Sequence, residues 1–233
     1  MKNIFILTGA GISAESGIAT FRAEDGLWEK HKVEDVATPD GFRRNPELVH
    51  NFYNERRRQL KTVTPNAAHF ALAKLSNNYS KGMVTIVTQN IDDLHERAGA
   101  QAIHMHGELE KMLCLNCRKS CVWQGDSSVE SICPNCEKRG VLRPDIVWFG
   151  EMPYFLAEIE ESLLNSSLFV AIGTSGLVYP AAGYVQLARA AKIKTLEMNL
   201  EKTAASQFFD AGIYGKAGQT VEKWVEEILT DGV

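Results

Sequence analysis

The sequence predicts an α/β fold: a Rossmann-like, doubly wound parallel sheet, with a small second domain formed by two insertions, one helical and one cysteine-bearing. Three observations carry that expectation. Short apolar runs recur at Ile4–Leu7, Met83–Val87, Ala102–Met105, Leu168–Ile172 and Ile193–Met198, most of them separated by segments of helical period. Strands alternating with helices imply a parallel sheet covered on both faces. A glycine-rich turn, Thr8-Gly9-Ala10-Gly11-Ile12-Ser13-Ala14, follows the first run directly. Two stretches interrupt the alternation: residues 30–62 are charged and helical, and residues 111–143 hold every cysteine.

Taken in order, Ile4-Phe5-Ile6-Leu7 is a first core strand. Behind Met1-Lys2 it has a trace of an export signal, but it is shorter than the roughly 7–15 residues of a signal core and runs straight into Gly9 and Gly11. Asn45-Pro46 and Thr64-Pro65 each read as N-cap then first helical residue, where the amide that proline lacks has no partner to lose. Pro153 and Pro180 open further helices over 154–164 and 181–191, and the amphipathic stretch 221–229 closes the fold. The sheet domain is therefore expected over 1–29, 63–110 and 144–233, and the small domain over 30–62 and 111–143.

A chain of 233 residues, 45% hydrophobic and 23% charged, has the profile of an ordinary globular protein. Its formal charge, 25 − 29 = −4, argues against a nucleic-acid or anionic-membrane surface. No apolar run approaches the roughly 20 residues of a membrane span. The five cysteines, Cys114, Cys117, Cys121, Cys133 and Cys136, fall within 23 consecutive positions. An odd, clustered set points to metal binding in a reducing compartment, and a cytoplasmic location is expected.

The glycine turn matches G-x-G-x-x-G/A after a strand and before an expected helix. Such glycines let the backbone approach a pyrophosphate lying at a helix N-terminus. They also arise for steric reasons alone, so the motif leaves both readings open. A dehydrogenase would place a second strand and an acidic ribose ligand about 20 residues further on. Here the loop Phe21-Arg22-Ala23-Glu24-Asp25-Gly26-Leu27-Trp28 follows instead. Cys114-x2-Cys117, fifteen residues, then Cys133-x2-Cys136 is a specific pattern. Four thiolates so spaced surround one Zn²⁺ and leave no open position, so the metal is structural. Cys121 is left over.

Gln89, Asn90, Ile91 and Asp92 stand at the C-terminal end of the Met83–Val87 run, where open α/β sheets bind ligands. Asn90 and Asp92 suit ribose hydroxyls or a bound water; helix capping is the plainer alternative. His104 and His106 share a face if both lie in one strand. Near-neutral imidazoles suit general-base work, while structural histidines or a metal pair stay open on the residues alone.

In order along the chain, Gly9-Ala10-Gly11-Ile12-Ser13-Ala14-Glu15-Ser16-Gly17-Ile18, Thr88-Gln89-Asn90-Ile91-Asp92, His106-Gly107-Glu108, the four paired cysteines and Gly173-Thr174-Ser175 resemble the sirtuin family. The resemblance spans essentially the whole chain and implies NAD-dependent deacylation of protein lysines. The acyl oxygen attacks the ribose carbon bearing nicotinamide, and the products are nicotinamide, free lysine and O-acyl-ADP-ribose. It further implies that His106 is the general base, with Asn90 and Asp92 at the nicotinamide ribose. Gly9, Ala10, Gly11, Ser13, Glu15, Phe21, Arg22, Trp28 and Gln89–Asp92 line the NAD site. Gly173, Thr174, Ser175, Asn199, Leu200, Glu201 and Ala217 lie at its adenosine end. Val147, Phe149 and Gly150 belong to a strand that pairs with the substrate peptide. Ala19 and Ala23 depart from the family, standing where many members carry proline and glycine.

Tyr53 and Arg56 are i, i+3 on the helix opened by Pro46, so they face one way. This resembles the Y-x-x-R of sirtuins that remove succinyl, malonyl or glutaryl groups, in which Arg receives the acyl carboxylate bidentately. The plainer alternative is a solvated basic face, since Arg57 and Arg58 follow. Two other functions stay open: mono-ADP-ribosyl transfer, and nucleic-acid binding by the cysteine module, whose Lys111, Arg118, Lys119, Lys138, Arg139 and Arg143 outnumber its acids.

Overall fold

The computed structural model describes residues 2–19, 27, 28, 31–176 and 178–231, with backbone alone at 27, 28 and 231. Its main sheet has six parallel strands. At the centre β1 (Ile4–Thr8) lies between β4 (Val84–Thr88) and β9 (Leu168–Ile172). Outside β4 is β5 (Ile103–His104); outside β9 are β10 (Lys194–Asn199) and β11 (Ala211–Tyr214). A separate ladder pairs β2 (Leu27–Trp28) with β3 (His31–Lys32). Every residue of β1 is buried because its two faces feed two different cores. Ile4 and Ile6 pack with α5 (Ala67–Asn78) and α9 (Ala217–Asp231). Phe5 and Leu7 pack with α7 (Leu156–Leu164) and α8 (Tyr184–Ala190). The period-2 pleat does this sorting, and it explains why the run reads as uniformly apolar.

From β1 the chain builds outward to β4 and β5 on one side, then to β9, β10 and β11 on the other. In open α/β sheets such a reversal marks the crevice at the C-terminal strand ends where ligands bind. Beside it sits the helical insertion: α2 (Val33–Val36), α3 (Pro39–Arg44) and α4 (Pro46–Leu60). Thr38 Oγ1 accepts from Gly41 N and Asn45 Oδ1 from Leu48 N, so each cap precedes a proline at the first helical position. Val49, Phe52, Tyr53 and Leu60 of α4 form a third core with Leu109, Ile146 and Trp148. The cysteine module hangs on an antiparallel sheet in which β6 (Gly107–Cys114) lies between β7 (Ser120–Val122) and β8 (Leu142–Ile146). Only glycine fits at Gly107, where φ is +81° and a Cβ would stand 2.0 Å from the Asp145 carbonyl oxygen.

Several elements differ from expectation. The helix expected after the glycine turn is only the short α1 (Ala10–Ser13), continued by a 3₁₀ turn at Ala14–Ser16. The helix expected from Thr64-Pro65 begins at Ala67, because Asn66 and His69 form a reciprocal capping box. The helix at Pro153 starts at Leu156, and the one at Pro180 starts as a 3₁₀ turn over Ala181–Gly183. The edge strand β11 was not foreseen, since Ala211-Gly212-Ile213-Tyr214 shows no alternation. No helix among the described residues is long and apolar enough to cross a membrane.

Candidate active site

The floor of the crevice is a backbone interlock. Gly9 N donates to Ile172 O at 3.0 Å, and Gly11 N to Gly173 O at 2.9 Å. A Cβ on Gly11 would lie 2.6 Å from Gly173 Cα, and one on Gly173 would lie 2.5 Å from Ile12 N. The glycines therefore bring the loops after β1 and β9 into contact. The steric reading of the motif holds, alongside any role at a ligand.

Above this floor, Asn90 Nδ2 donates to Gly9 O at 3.2 Å and to Ser13 Oγ at 3.1 Å. Ser13 Oγ donates to Asp92 Oδ2 at 3.1 Å, and Leu94 N donates to Asp92 Oδ1 at 3.2 Å. Asp92 thus receives the first amide of the short helix whose N-cap is Asp93. Burial pushes its carboxyl up, and the Leu94 amide and Ser13 hydroxyl hold it down. Asn90 and Asp92 are both buried, with the Asn90 amide turned inward by its two acceptors. Ile91 O accepts from Leu109 N, which ties this loop to β6. Beneath lie His69 and His95, rings 5.1 Å apart. Thr8 Oγ1 bonds His95 Nε2 at 3.0 Å. Burial lowers His95 to about 4 and His69 to about 3, so both are neutral at pH 7. The sequence reading missed this pair; both are invisible to a motif search because their roles come from packing.

The two histidines expected on one strand face do not share a strand. β5 ends at His104, and His106 lies in the following turn before β6. His106 Nδ1 donates to Gln89 O at 3.1 Å. A carbonyl only accepts, so the proton sits on Nδ1 and the Nε2 lone pair is open, with no partner among the described residues. Burial lowers the His106 pKa, which keeps the ring neutral at pH 7. His104 instead has both nitrogens bonded, Nδ1 to Asn90 O at 3.1 Å and Nε2 to Glu96 Oε1 at 3.2 Å, which rules out a metal pair.

On α4, Tyr53 is fully buried and its hydroxyl accepts from Trp148 Nε1 at 2.9 Å. Arg56 lies along Phe52, its Cζ 4.9 Å from the ring centroid, and its Nη2 is 3.7 Å from Glu55 Oε2. Its Nε and Nη1 are buried without a hydrogen-bond partner among the described residues. The solvated basic face is thereby corrected for Arg56 and for Arg57, which is 1% exposed. Arg58 is exposed and pairs with Asp126 at 2.8 Å. Val147, Phe149 and Gly150 lie in the turn after β8, not in a strand. Val147 N donates to His106 O and Phe149 N to Ala37 O, so these amides already have partners. Arg143 holds the turn: its guanidinium lies 3.4 Å from the Trp148 ring and donates to both oxygens of Glu151.

At the far end, Asn199 Nδ2 donates to Thr174 O and to Glu197 Oε1, each at 3.0 Å. Glu197, 1% exposed and unforeseen, also accepts from Thr203, Ser206 and Tyr214. Glu15 Oε1 accepts from Gly218 N at 2.8 Å, beside Ala217 at the start of α9. Ser175, Leu200 and Glu201 are exposed on the rim. Phe21, Arg22 and the Trp28 side chain lie outside the described residues.

Cys114, Cys117, Cys133 and Cys136 bring four sulfurs within 4.8 Å of one another. The Cys114–Cys136 and Cys117–Cys133 separations are 3.7 and 3.9 Å. A tetrahedron with Zn–S bonds of about 2.3 Å has edges of roughly 3.8 Å. The four residues therefore fit a closed zinc site. Cys121 stands apart, donating to Met112 O at 3.5 Å.

Residues 9–180 match the family model described as the Sir2 family. A protein of Yersinia pseudotuberculosis named NAD-dependent protein deacylase is 54% identical over 230 residues, covering 97% of this chain and 82% of the relative. One of the same name from Bdellovibrio bacteriovorus is 52% identical over 231 residues, covering 98% and 97%. The solved complex described as Sir2-p53 peptide-NAD+ superposes with a TM-score of 0.79 at 31% identity, over 98% of this chain and 92% of that one. With the strand-order reversal, the crevice above it and the four-cysteine cluster all on one chain, this protein belongs to the Sir2 family.

Proposed function

We propose that this chain is an NAD-dependent protein-lysine deacylase that removes acetyl groups and also acidic acyl groups such as succinyl or malonyl. The general reaction is supported by one observation above others: His106, its Nδ1 proton anchored on Gln89 O, presents an open Nε2 beside the Asn90–Ser13–Asp92 network. NAD, when bound, supplies the ribose carbon at which nicotinamide is exchanged for the acyl oxygen. Asn90 and Asp92 orient the ribose, and His106 Nε2 takes a proton from a ribose hydroxyl, activating its oxygen. Because Nδ1 is already committed, the ring takes up this proton without changing tautomer. Cys114, Cys117, Cys133 and Cys136 hold the zinc, and with no open position it stabilises the module and takes no part in the chemistry.

The acidic-acyl reading is supported by Arg56. Two buried guanidinium donors without a partner among the described residues each forfeit about 1–3 kcal/mol. A carboxylate at the end of an acyl chain supplies two acceptors and a charge, whereas an acetyl group supplies neither. The test is to incubate the protein with NAD and matched acetyl- and succinyl-lysine peptides and to identify every product by mass spectrometry. Free lysine peptide with O-acyl-ADP-ribose is expected; ADP-ribosylated protein in its place would establish the transferase instead. His106→Ala should lower turnover about 10²–10⁴-fold with NAD binding retained.

A further inference from the structure

The chemistry above uses His106 and leaves His104 unassigned, although His104 is the more tightly held of the two. Its ring is 7% exposed. Nδ1 faces the Asn90 carbonyl oxygen at 3.1 Å and Nε2 faces a Glu96 carboxylate oxygen at 3.2 Å. Neither group can donate to the ring at neutral pH. A neutral imidazole has one N–H, so it satisfies only one of these contacts and sets a lone pair against an oxygen at the other. We propose that His104 is a doubly protonated imidazolium clamped between Glu96 and the Asn90 carbonyl, and that it serves as a positioning residue for the Asn90–Asp92 segment.

Its surroundings favour the charge. Burial works against the charged form, but the hydrogen bond that the ring donates to Glu96 and the negative charge of Glu96, with Glu108 of β6 beyond, raise the pKa of His104. Asp92 faces the same cation from the loop and is stabilised by it, while His95 of α6 (Leu94–Arg97), itself neutral, is driven further from protonation. Glu96 is in turn fixed by α6 and by Ala102 N, which donates to the same oxygen at 3.2 Å. The contact to Asn90 falls on its backbone oxygen, leaving the side chain to Gly9 and Ser13. A charge-assisted bond on the carbonyl thus sets the backbone of the residue whose amide holds the Gly9 carbonyl and the Ser13 hydroxyl. The adjacent carbonyl, Gln89 O, receives the His106 Nδ1 proton. Consecutive peptide carbonyls therefore hold two histidines in different protonation states, one a cation and one a neutral base.

This role rests on the reading that Asn90 and Asp92 contact the ribose. Ring-nitrogen NMR of ¹⁵N-histidine-labelled protein, assigned with His104→Gln, reports charge without reference to turnover. At pH 7 His104 should show two protonated nitrogens and His106 only one. Glu96→Gln keeps an acceptor for Ala102 N but removes the charge, so His104 should become neutral at a lower pH. The kcat/KM of Glu96→Gln should match wild type at pH 6 and fall about tenfold below it by pH 8, as expected for a one-unit displacement of the alkaline limb. A merely structural role would lower thermal stability and leave the two profiles parallel. A neutral His104 at pH 7, or parallel profiles, overturns the proposal. Wild-type turnover in Asn90→Ala overturns instead the ribose reading, and with it the positioning role.

Discussion

Arg56 and Arg57 are neighbours on one helix, and the two regions they face could hardly differ more. Arg57 points toward the cysteine module, where Nε donates to Gly125 O at 3.0 Å, Nη1 to Leu109 O at 3.3 Å, and Nη2 to Ser127 Oγ at 2.8 Å and to Asn54 Oδ1. His50 and Asn54 of the same helix also bond Ser127, so one face of α4 clamps the module with its donors answered. Arg56 points the other way, and two of its buried nitrogens are unanswered among the described residues. A buried arginine whose donors are answered holds structure, whereas unanswered donors call for another partner, which under the acyl-pocket proposal is an anion. The lesson is that burial alone does not separate the two. The completeness of hydrogen bonding does.

The comparison can be broken most severely at the metal. The protein should hold about one zinc per chain, and Cys133→Ser or strong chelation should unfold the module, since structural zinc in small domains supplies roughly 10 kcal/mol or more of apparent folding energy. Metal analysis with circular dichroism checks this; zinc-free protein that stays folded and active would sink it. Next is the clamp. Arg57→Leu strands the Gly125 and Leu109 carbonyls and the Ser127 hydroxyl, and should cost about 3–5 kcal/mol in denaturant unfolding. The ratio of kcat/KM for succinyl and acetyl peptides should be unchanged. A changed ratio would mean that the two faces are coupled.

Arg56→Met should do the reverse. The ratio of succinyl to acetyl kcat/KM should fall by the equivalent of about 2–5 kcal/mol, while the melting temperature holds or rises because unpaired buried donors are gone. An equal loss for both peptides would make Arg56 structural. The smallest effect concerns pH. Burial, with the Arg57 charge adding to it, lowers His50 to about 4, so the folded protein refuses a proton that the unfolded chain accepts near 6.5. Its contribution is intact above pH 6.5 and is lost as pH falls toward 4, at up to about 1.4 kcal/mol per pH unit. Urea unfolding at pH 7, 6 and 5 should show a shallower slope in His50→Asn than in wild type. Identical slopes would mean that His50 accepts its proton while folded.

What the sequence determined by itself was whatever depends on neighbours along the chain. The cysteine pairs are legible because two residues between thiolates set their reach, and the sulfurs meet as that spacing requires. The strands β1 and β9 are legible because burial on both faces demands continuous apolar runs. Asn45-Pro46 caps a helix by contacts within one turn. The tertiary structure alone decided the rest. Thr64-Pro65 looked like a cap of equal quality, but Asn66 and His69 form a reciprocal capping box two residues later. Five apolar strands announced a sheet, yet β11 escaped notice because a four-residue edge strand needs only the backbone of β10. His104 and His106 are two residues apart, and Arg56 and Arg57 adjacent, and only the family resemblance, not the local pattern, singled out His106 and Arg56. Their roles follow from which carbonyls and carboxylates the distant segments bring within about 3 Å, and a one-dimensional pattern carries no record of those distances.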